Sequence, residues 1–384
     1  MKVLQICSYY PINNIYRNLF AKLKDNKIES TIYVPCKSKV IPDENYDYKN
    51  NNVIYSVVYK NGDNIYEKAI NIFNQYQFYY KNNKIYKDMI EKVNIKEHSV
   101  THAHSLFENG YLAYKMKKEF GIDYVVAVRN TDVNGYFKRA KHLRKIGLEI
   151  MKNAKNIIFI SPSYKEKVLS EYVSKEEFDN IKKKSRVIPN GIDDFWINNL
   201  SEDIHINKEI DKDKIRLIQV SRLDKNKNID TSIEVCRALN ERGLMCQLTI
   251  IGDGPLEEIL KKKYENMKNI YFKGRLDKEK IKEYYDESDI FIMPSKFETF
   301  GLVYAEAISR GVPVIYTKGQ GFDKFFEDGE VGYPMKYNDI EEGEKAVISI
   351  INNYKHISKT AREKSCIFSW KIISNIYKEI YLNN

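Results

Sequence analysis

Apolar residues in the first half of the chain cluster in short runs separated by longer amphipathic stretches. Residues 3–7, 31–34, 53–58, 99–102, 124–128, 157–160 and 186–188 read as strands, several of them apolar at successive positions, as in strands covered on both faces. Between them, 13–23, 66–93 and 110–120 repeat their apolar positions at helical spacing. Ser161 is a candidate N-cap with Pro162 at the first helical position, which marks another helix start. Residues 190–213 are polar and show no period, so they read as a linker.

The rhythm then restarts. Strand patterns at 215–220, 248–251, 270–272, 290–293 and 312–316 alternate with helical patterns at 229–242, 256–267, 278–285 and 302–310. Such alternation implies parallel sheets covered on both faces. The expected architecture is α/β, with two doubly wound Rossmann-like domains, residues 1–195 and 196–367, facing a central cleft. The amphipathic segment 368–384 is expected to pack back on the first domain. No internal repeat or low-complexity block interrupts the pattern.

Composition narrows the class. The 384 residues are 43% hydrophobic and 30% charged, which excludes a mostly disordered chain. No run of about 18 apolar residues is long enough for a membrane span. The opening residues read as a buried strand and not as a signal peptide, since no small-residue cleavage site follows. Cys7, Cys36, Cys236, Cys246 and Cys366 are scattered without metal or disulfide spacing, which points to a reducing, cytoplasmic setting. The net charge of +10 is uneven: residues 1–190 hold 33 Lys+Arg against 20 Asp+Glu, and residues 191–384 hold 30 against 33. A basic half suits an anionic partner such as a membrane face. A coding bias toward Lys, Asn, Ile and Tyr is the plainer cause, although bias alone loads both halves alike. Residues 138–155 concentrate this charge beside apolar Leu143, Ile146, Ile150 and Met151. That is either an ordinary surface helix or a docking face for anionic lipid.

Candidate chemistry lies in the second half. Arg222 and Lys227 follow a strand and precede a helix, where a planar fork and a point charge suit a diphosphate or a solvated loop. Gly252 and Gly254 open the next helix, as a plain tight turn or as a close approach to ligand. In the segment 294–307, Glu298 precedes a helix that starts near Gly301, and Glu306 lies about one and a half turns inside it. The N-terminus of that helix suits phosphate, and the two carboxylates suit hydroxyls of one extended ligand.

The order Ser221-Arg222-Leu223 with Lys227, Ile251-Gly252-Asp253-Gly254-Pro255-Leu256, Glu298-Thr299-Phe300-Gly301-Leu302 with Glu306-Ala307, and Gly311-Val312-Pro313-Val314-Ile315 resembles the retaining glycosyltransferases of family 4, of GT-B fold. Val187-Ile188-Pro189-Asn190-Gly191-Ile192-Asp193 resembles the interdomain signature of that family, and Phe368-Ser369-Trp370 its closing helix. The match is dense over 186–322. The resemblance implies a nucleoside diphosphate sugar donor, UDP- or GDP-linked, bound by the second domain, and a glycan, lipid-linked or protein acceptor bound by the first. It assigns Arg222 and Lys227 to the diphosphate and leaving group, and Glu298 to the donor sugar. Thr299, Phe300, Gly301 and Leu302 fall to the sugar or phosphate, Glu306 to the ribose, and Gly252 and Arg275 to the nucleotide side. Catalysis then rests on Arg222, Lys227 and Glu298, without cofactor or metal, by same-face substitution in which the departing phosphate helps deprotonate the acceptor.

The first half departs from the family. Relatives often place a Gly-Gly loop after the first strand. Here the loop is Tyr10-Pro11-Ile12-Asn13-Asn14, where Asn13 or Asn14 can offer a side-chain bond to the donor. Many relatives carry His after the strand 124–128, where this chain has Arg129, followed by Asn130-Thr131-Asp132. Arg129 serves an anion or pairs with Asp132. His102 and His104 alternate onto one side of an extended chain, as acceptor-side or structural groups. The expected role is in bacterial cell-surface polysaccharide synthesis, at most peripheral to the inner membrane face. A silent nucleotide-sugar-binding protein and a GT-B phosphorylase or epimerase are the alternatives. No nucleic-acid motif is present.

Overall fold

The computed structural model describes residues 1–10, 14–35, 52–56, 75–198, 210–211 and 214–383. The chain divides into two compact units. Unit 1 is Met1–Ile160, Tyr164–Pro189 and Trp370–Asn384, and unit 2 is Ser161–Ser163 and Asn190–Ser369. The division falls inside the segment 187–193. The expected linker 190–213 starts with a short helix, Asp194–Asn198, and residues 199–209 and 212–213 lie outside the described residues.

Unit 1 carries β1 (Lys2–Ile6), β2 (Glu29–Pro35), β3 (Asn52–Ser56), β4 (Val100–Ala103), β5 (Tyr124–Val128), β6 (Asn156–Phe159) and β7 (Ser185–Val187), in the order β3-β2-β1-β4-β5-β6-β7. All pairs are parallel. Successive residues serve opposite faces, as strand alternation requires. Leu4 and Ile6 join one apolar cluster, and Val3 and Cys7 join the other. The second cluster is closed by the last helix, Trp370–Leu382, through Trp370, Ile373, Tyr377, Ile380 and Tyr381. The amphipathic period in the last residues therefore corresponds to packing on the first sheet.

Unit 2 carries β8 (Ile215–Val220), β9 (Cys246–Ile251), β10 (Ile270–Phe272), β11 (Ile290–Ile292), β12 (Val314–Thr317) and β13 (Gly332–Met335), in the order β10-β9-β8-β11-β12-β13. These pairs too are parallel. Strand β13 and the helices Ile340–Asn352 and Tyr354–Lys364 extend the alternation past the residues where sequence patterning placed it. Pro334 and the small Gly332 make β13 a poor strand by propensity. It forms on the sheet edge, where Gly332 lets the chain lie against Val314.

Some helices differ from expectation. Residues 138–155 are not one helix. A π-helix at Thr131–Phe137 and a short turn at Lys141–Leu143 precede the helix Arg144–Asn153. Its Ile150 and Met151 are buried in the core with Leu143. Lys152 pairs with Glu177, and Lys155 lies 3.8 Å from Asp123. Of the expected helix 66–93, the part 66–74 lies outside the described residues and Gln75–Lys92 is helical.

In each sheet the strand order reverses once, between β1 and β4 and between β8 and β11. Connections there leave for opposite faces, so the carboxyl edge opens into a crevice. In unit 2 the amino end of this junction is locked. The Asp289 carboxylate accepts the Arg216 backbone N–H at 2.8 Å and its guanidinium at 3.1 and 2.9 Å. Asp289 is 1% exposed. Asp289→Ala strands that guanidinium and breaks the β8–β11 lock, at an expected loss of about 3 kcal/mol. Urea unfolding of unit 2 followed by circular dichroism checks this, and an unchanged midpoint refutes it.

Candidate functional site

The carboxyl edge of the second sheet is built from three loops that fasten one another. After β8, Asp224 forms a tight turn: its Oδ1 accepts the backbone N–H of Asn226 at 2.9 Å and of Lys227 at 3.1 Å. Gln219, buried on β8, donates to the Lys227 carbonyl at 3.0 Å. Asn228 adopts φ +53 and donates to the Pro294 carbonyl at 3.2 Å. Asn226 holds both backbone groups of Phe297: the Phe297 N–H reaches Oδ1 at 3.0 Å, and Nδ2 reaches the Phe297 carbonyl at 2.8 Å. The loop after β8 is thereby stitched to the loop after β11, across the junction where the strand order reverses.

Lys227 and Glu298 meet at the centre of this stitching, Nζ to Oε2, at 2.5 Å. Their side chains are 21% and 10% exposed, so the pair is largely removed from water and strongly coupled. Glu298 is fixed from other directions as well. Its Oε1 accepts the Thr299 N–H at 3.0 Å, its own N–H donates to Gln320 at 3.0 Å, and its carbonyl accepts Gly321 N–H at 2.9 Å. Arg222 differs, with its side chain 70% exposed and its Nε 3.9 Å from Asp224. It is an exposed cation lining the pocket, whereas Lys227 is held by Glu298.

Gly301 caps the next helix, Leu302–Ser309, at φ +82, a left-handed conformation that favours glycine. A side chain there would strike the Tyr304 ring at 2.4 Å and press on Glu298 Cγ at 3.2 Å. Phe300 is buried against Phe322, Phe325 and Phe368, so its ring belongs to the core and its backbone alone is available to a ligand. Thr299 and Leu302 are half-buried. Glu306, also half-buried, is pushed up to about 7 by desolvation and, secondarily, by the charge of Asp193. A carboxylate held where water solvates it poorly is one that ligand hydroxyls can satisfy.

On the same carboxyl edge lies a pocket of about 710 Å3 over the ends of β8, β9 and β10, lined by Arg222 and not by Lys227, Glu298 or Glu306. Its polar wall includes Arg222, Gly252, Asp253 and Arg275, and its apolar wall includes Pro255, Leu276, Ile281 and Val303. Gly252 forms the tight turn and also faces the pocket. It lines the pocket, and a Cβ on it would lie 1.9 Å from the Ser221 carbonyl oxygen. Val303, in the first turn of the helix that carries Glu306, joins this pocket to the Glu298 loop. Among the described residues, no three His, Cys, Asp or Glu side chains gather as metal ligands do.

In unit 1 the expected residues gather at the β1–β4 junction, but mostly as packing. His102 and His104 do face one side, with ring centroids 4.0 Å apart. Both are fully buried. His102 Nδ1 lies 2.6 Å from the Tyr381 hydroxyl, and His104 Nε2 lies 2.8 Å from Gln5. Burial, with the charge of Arg129, holds His102 down to about 3, and burial with the charges of His102 and Arg129 holds His104 well below the usual imidazole range. They are neutral core groups, not solvent-facing ones, and His102 seats the last helix. Arg129 Nε donates to the His104 carbonyl at 3.2 Å, and its guanidinium lies over Tyr16. Asp132 accepts the backbone N–H of Leu106, Phe107 and Arg129. Burial pushes it up to about 6 against those bonds. Asn14 is exposed at the start of its helix, accepting Arg17 at 3.3 Å. Asn13, with Pro11 and Ile12, lies outside the described residues.

Sequence reasoning missed Asn226, Asp224, Gln219 and Gln320, which align the loops that carry the pair. The run Asp224-Lys225-Asn226-Lys227-Asn228 carries the turn-former signal that could have found the first two.

Two all-parallel doubly wound units of this kind define a GT-B fold, and the chain superposes over its full length on such proteins. The lipopolysaccharide outer core galactosyltransferase WaaB matches with a TM-score of 0.74 and 15% identity, covering 100% of both chains. Residues 201–364, within unit 2, match the family "Glycosyl transferases group 1". The sulfoquinovosyl transferase SQD2 of Arabidopsis thaliana is 28% identical over 165 residues, which cover 41% of this chain and 31% of that protein. The uncharacterized glycosyltransferase MJ1178 of Methanocaldococcus jannaschii is 24% identical over 398 residues, covering 99% of each.

The Glu306 environment gives a pH signature. A carboxyl raised in the folded state takes up a proton that the unfolded chain releases, so its contribution weakens stability as pH rises from 4.5 through about 7. Glu306→Gln should therefore be more stable than the parent at pH 8, by on the order of 2 kcal/mol, with the gain fading toward pH 4.5. Paired denaturant titrations at pH 8, 6.5 and 4.5 test this, and a pH-independent difference would contradict it.

Proposed function

We propose that this chain is a retaining, metal-independent glycosyltransferase of family 4. It moves a sugar from a UDP- or GDP-linked donor to a glycan, lipid-linked or protein acceptor. The observation that carries the reading is the desolvated Lys227–Glu298 pair across the β8–β11 junction, on the same carboxyl edge as a pocket with polar and apolar walls. A diphosphate entering there offers a second anionic partner to Lys227, beside Glu298, and to Arg222, beside Asp224. Charge developing on the leaving phosphate is then met by cations already in place, which is where electrostatic catalysis is most effective. Glu298, released in part from Lys227, accepts donor-sugar hydroxyls. Glu306 accepts the ribose hydroxyls, for which it must be ionised. The apolar wall of Leu276, Ile281 and Val303 suits the flat base. The departing phosphate helps deprotonate the acceptor on the same face of the sugar.

Lys227→Ala should lower kcat/KM ten- to a thousandfold, roughly the worth of one positioned charge-assisted contact to the leaving group. Screening UDP, GDP and ADP sugars by thermal shift finds the donor first. A folded Lys227→Ala protein with unchanged kcat/KM sinks the assignment. Donor binding without turnover favours the silent binding protein instead.

The likeness to a lipopolysaccharide galactosyltransferase supports a role in bacterial cell-surface polysaccharide synthesis, on the cytoplasmic side. Among the described residues no helix is long and apolar enough to cross a membrane. Lys138, Arg139, Lys141 and Lys145 are exposed, while the apolar stripe beside them is buried, so any membrane contact is electrostatic. At about 1 kcal/mol per cation, the protein should sediment with anionic vesicles at low salt and leave them as salt rises. Equal partitioning onto neutral vesicles, or no loss after Lys138, Arg139, Lys141 and Lys145 become Glu, excludes this contact.

A further inference from the structure

Phe297 stands out at the same carboxyl edge. Its ring is 58% exposed, while the next residue, Glu298, is 8% exposed. The two neighbours therefore face opposite environments, one toward Lys227 and the other toward solvent. An exposed phenylalanine loses apolar contact to water, and in a mobile loop it would fold back onto the protein. Here it is denied that freedom. Asn226 grips the Phe297 N–H at 3.0 Å and its carbonyl at 2.8 Å, and the preceding Lys296 N–H donates to the Asn226 carbonyl at 2.8 Å. Asn226 is in turn set by Asp224. Three hydrogen bonds thus fix the backbone that presents an exposed apolar ring, one residue from Glu298 of the ion pair.

We infer that Phe297 is a specificity-determining residue: a preorganised platform for a pyranose ring of the acceptor. The inference rests on the glycosyltransferase reading and narrows its acceptor from glycan, lipid alcohol or protein hydroxyl to a sugar. A pyranose presents one face of axial C–H groups, weakly positive, which suits the negative face of an aromatic ring. Its hydroxyls lie around the rim and stay in water or meet polar neighbours. With the backbone fixed before binding, only the two side-chain torsions of the ring are ordered when the sugar arrives, so flat stacking contributes more of its gross energy to affinity. The donor sugar is the less fitting occupant, because the carboxylate that would bind it lies on the buried side of this loop. A lipid alkyl chain would call for a groove of several apolar side chains, whereas here a single ring is presented.

Truncation should leave no internal cavity, so Phe297→Ala is expected to fold, with an unchanged melting temperature as the control. The probes are methyl glycosides of glucose, galactose, mannose and N-acetylglucosamine, watched by saturation-transfer NMR with UDP or GDP present. At least one glycoside should receive saturation at its ring C–H protons. Phe297→Ala should weaken that binding about five- to tenfold, and Phe297→Tyr should restore it. Tyr271→Ala, which removes another exposed ring on the outer strand β10, should leave it unchanged. Nucleotide affinity should be the same in all three variants. No glycoside signal, or one indifferent to Phe297, overturns the inference while leaving nucleotide binding and the proposed function intact. A signal lost equally in Glu298→Ala and Phe297→Ala also overturns it, since it assigns the ring to the donor sugar. Failure of the parent protein to bind any nucleoside diphosphate is a separate result that defeats the enzymatic reading itself.

Discussion

Everything distinctive in unit 2 depends on holding β8 against β11 where the strand order reverses. A crevice at that junction is a topological consequence of connections leaving for opposite faces, and so is the weakness that comes with it. No crossover helix spans the carboxyl edge there. The fold answers with polar fasteners at both ends. Asp289 binds backbone and guanidinium of Arg216 below, and Asn226, Asn228 and Lys227 reach across to the β11 loop above. The lower fastener is well buried on its acidic side and purely structural. The upper one is built from the groups to which the proposed function gives the donor, so under that proposal binding and architecture share the same atoms.

That sharing explains why a costly interaction is kept. Removing a lysine and a glutamate from water gains little net stability, since desolvation offsets most of the attraction. Two apolar residues would hold the loops as well. A charge pair has a property they lack: either partner can accept a different one of the right sign without the loops separating, because Asn226 and Gln320 hold the backbones independently. Lys227 can turn toward phosphate and Glu298 toward hydroxyls while the scaffold stays in place. Arg222, exposed and weakly held, has no such constraint and can follow the ligand. The division between one held and one exposed cation follows from their places on the same turn.

Much of this was legible in the sequence, for identifiable reasons. Continuous apolar runs gave the buried parallel strands, because covering on both faces leaves little room for polar residues. Lys227 and Glu298 could be named because they sit in loops that follow strong strand signals. Strand β13 escaped, since it depends on the edge of an existing sheet and not on its own propensity. Charge and apolar spacing over 138–155 average over a short turn and a helix, which is why the segment reads as one helix. Asn226 and Gln320 escaped for a different reason. Their partners lie 71 and 22 residues away, and side-chain bonds to backbone leave no periodic trace.

The histidines of unit 1 show where chemical reasoning from residue type goes astray. Alternation correctly put His102 and His104 on one face, but the sequence could not say which face is wet. The last helix decides that for His102, from more than 250 residues away, by laying Tyr377 and Tyr381 against it, while Tyr16 and Phe20 of the first helix cover His104. Once covered, an imidazole is a small polar aromatic, and each of the two keeps one bond: His102 to Tyr381 and His104 to Gln5. Arg129 continues the same scheme, donating to the His104 carbonyl while its guanidinium packs on Tyr16. Asp132 closes it by collecting three backbone N–H groups from the loops after β4 and β5. The junction of the first sheet is therefore fastened by side-chain bonds to backbone and by aromatic packing. The junction of the second is fastened by charge that a ligand can exchange, and that contrast is why the reactive chemistry is assigned to unit 2.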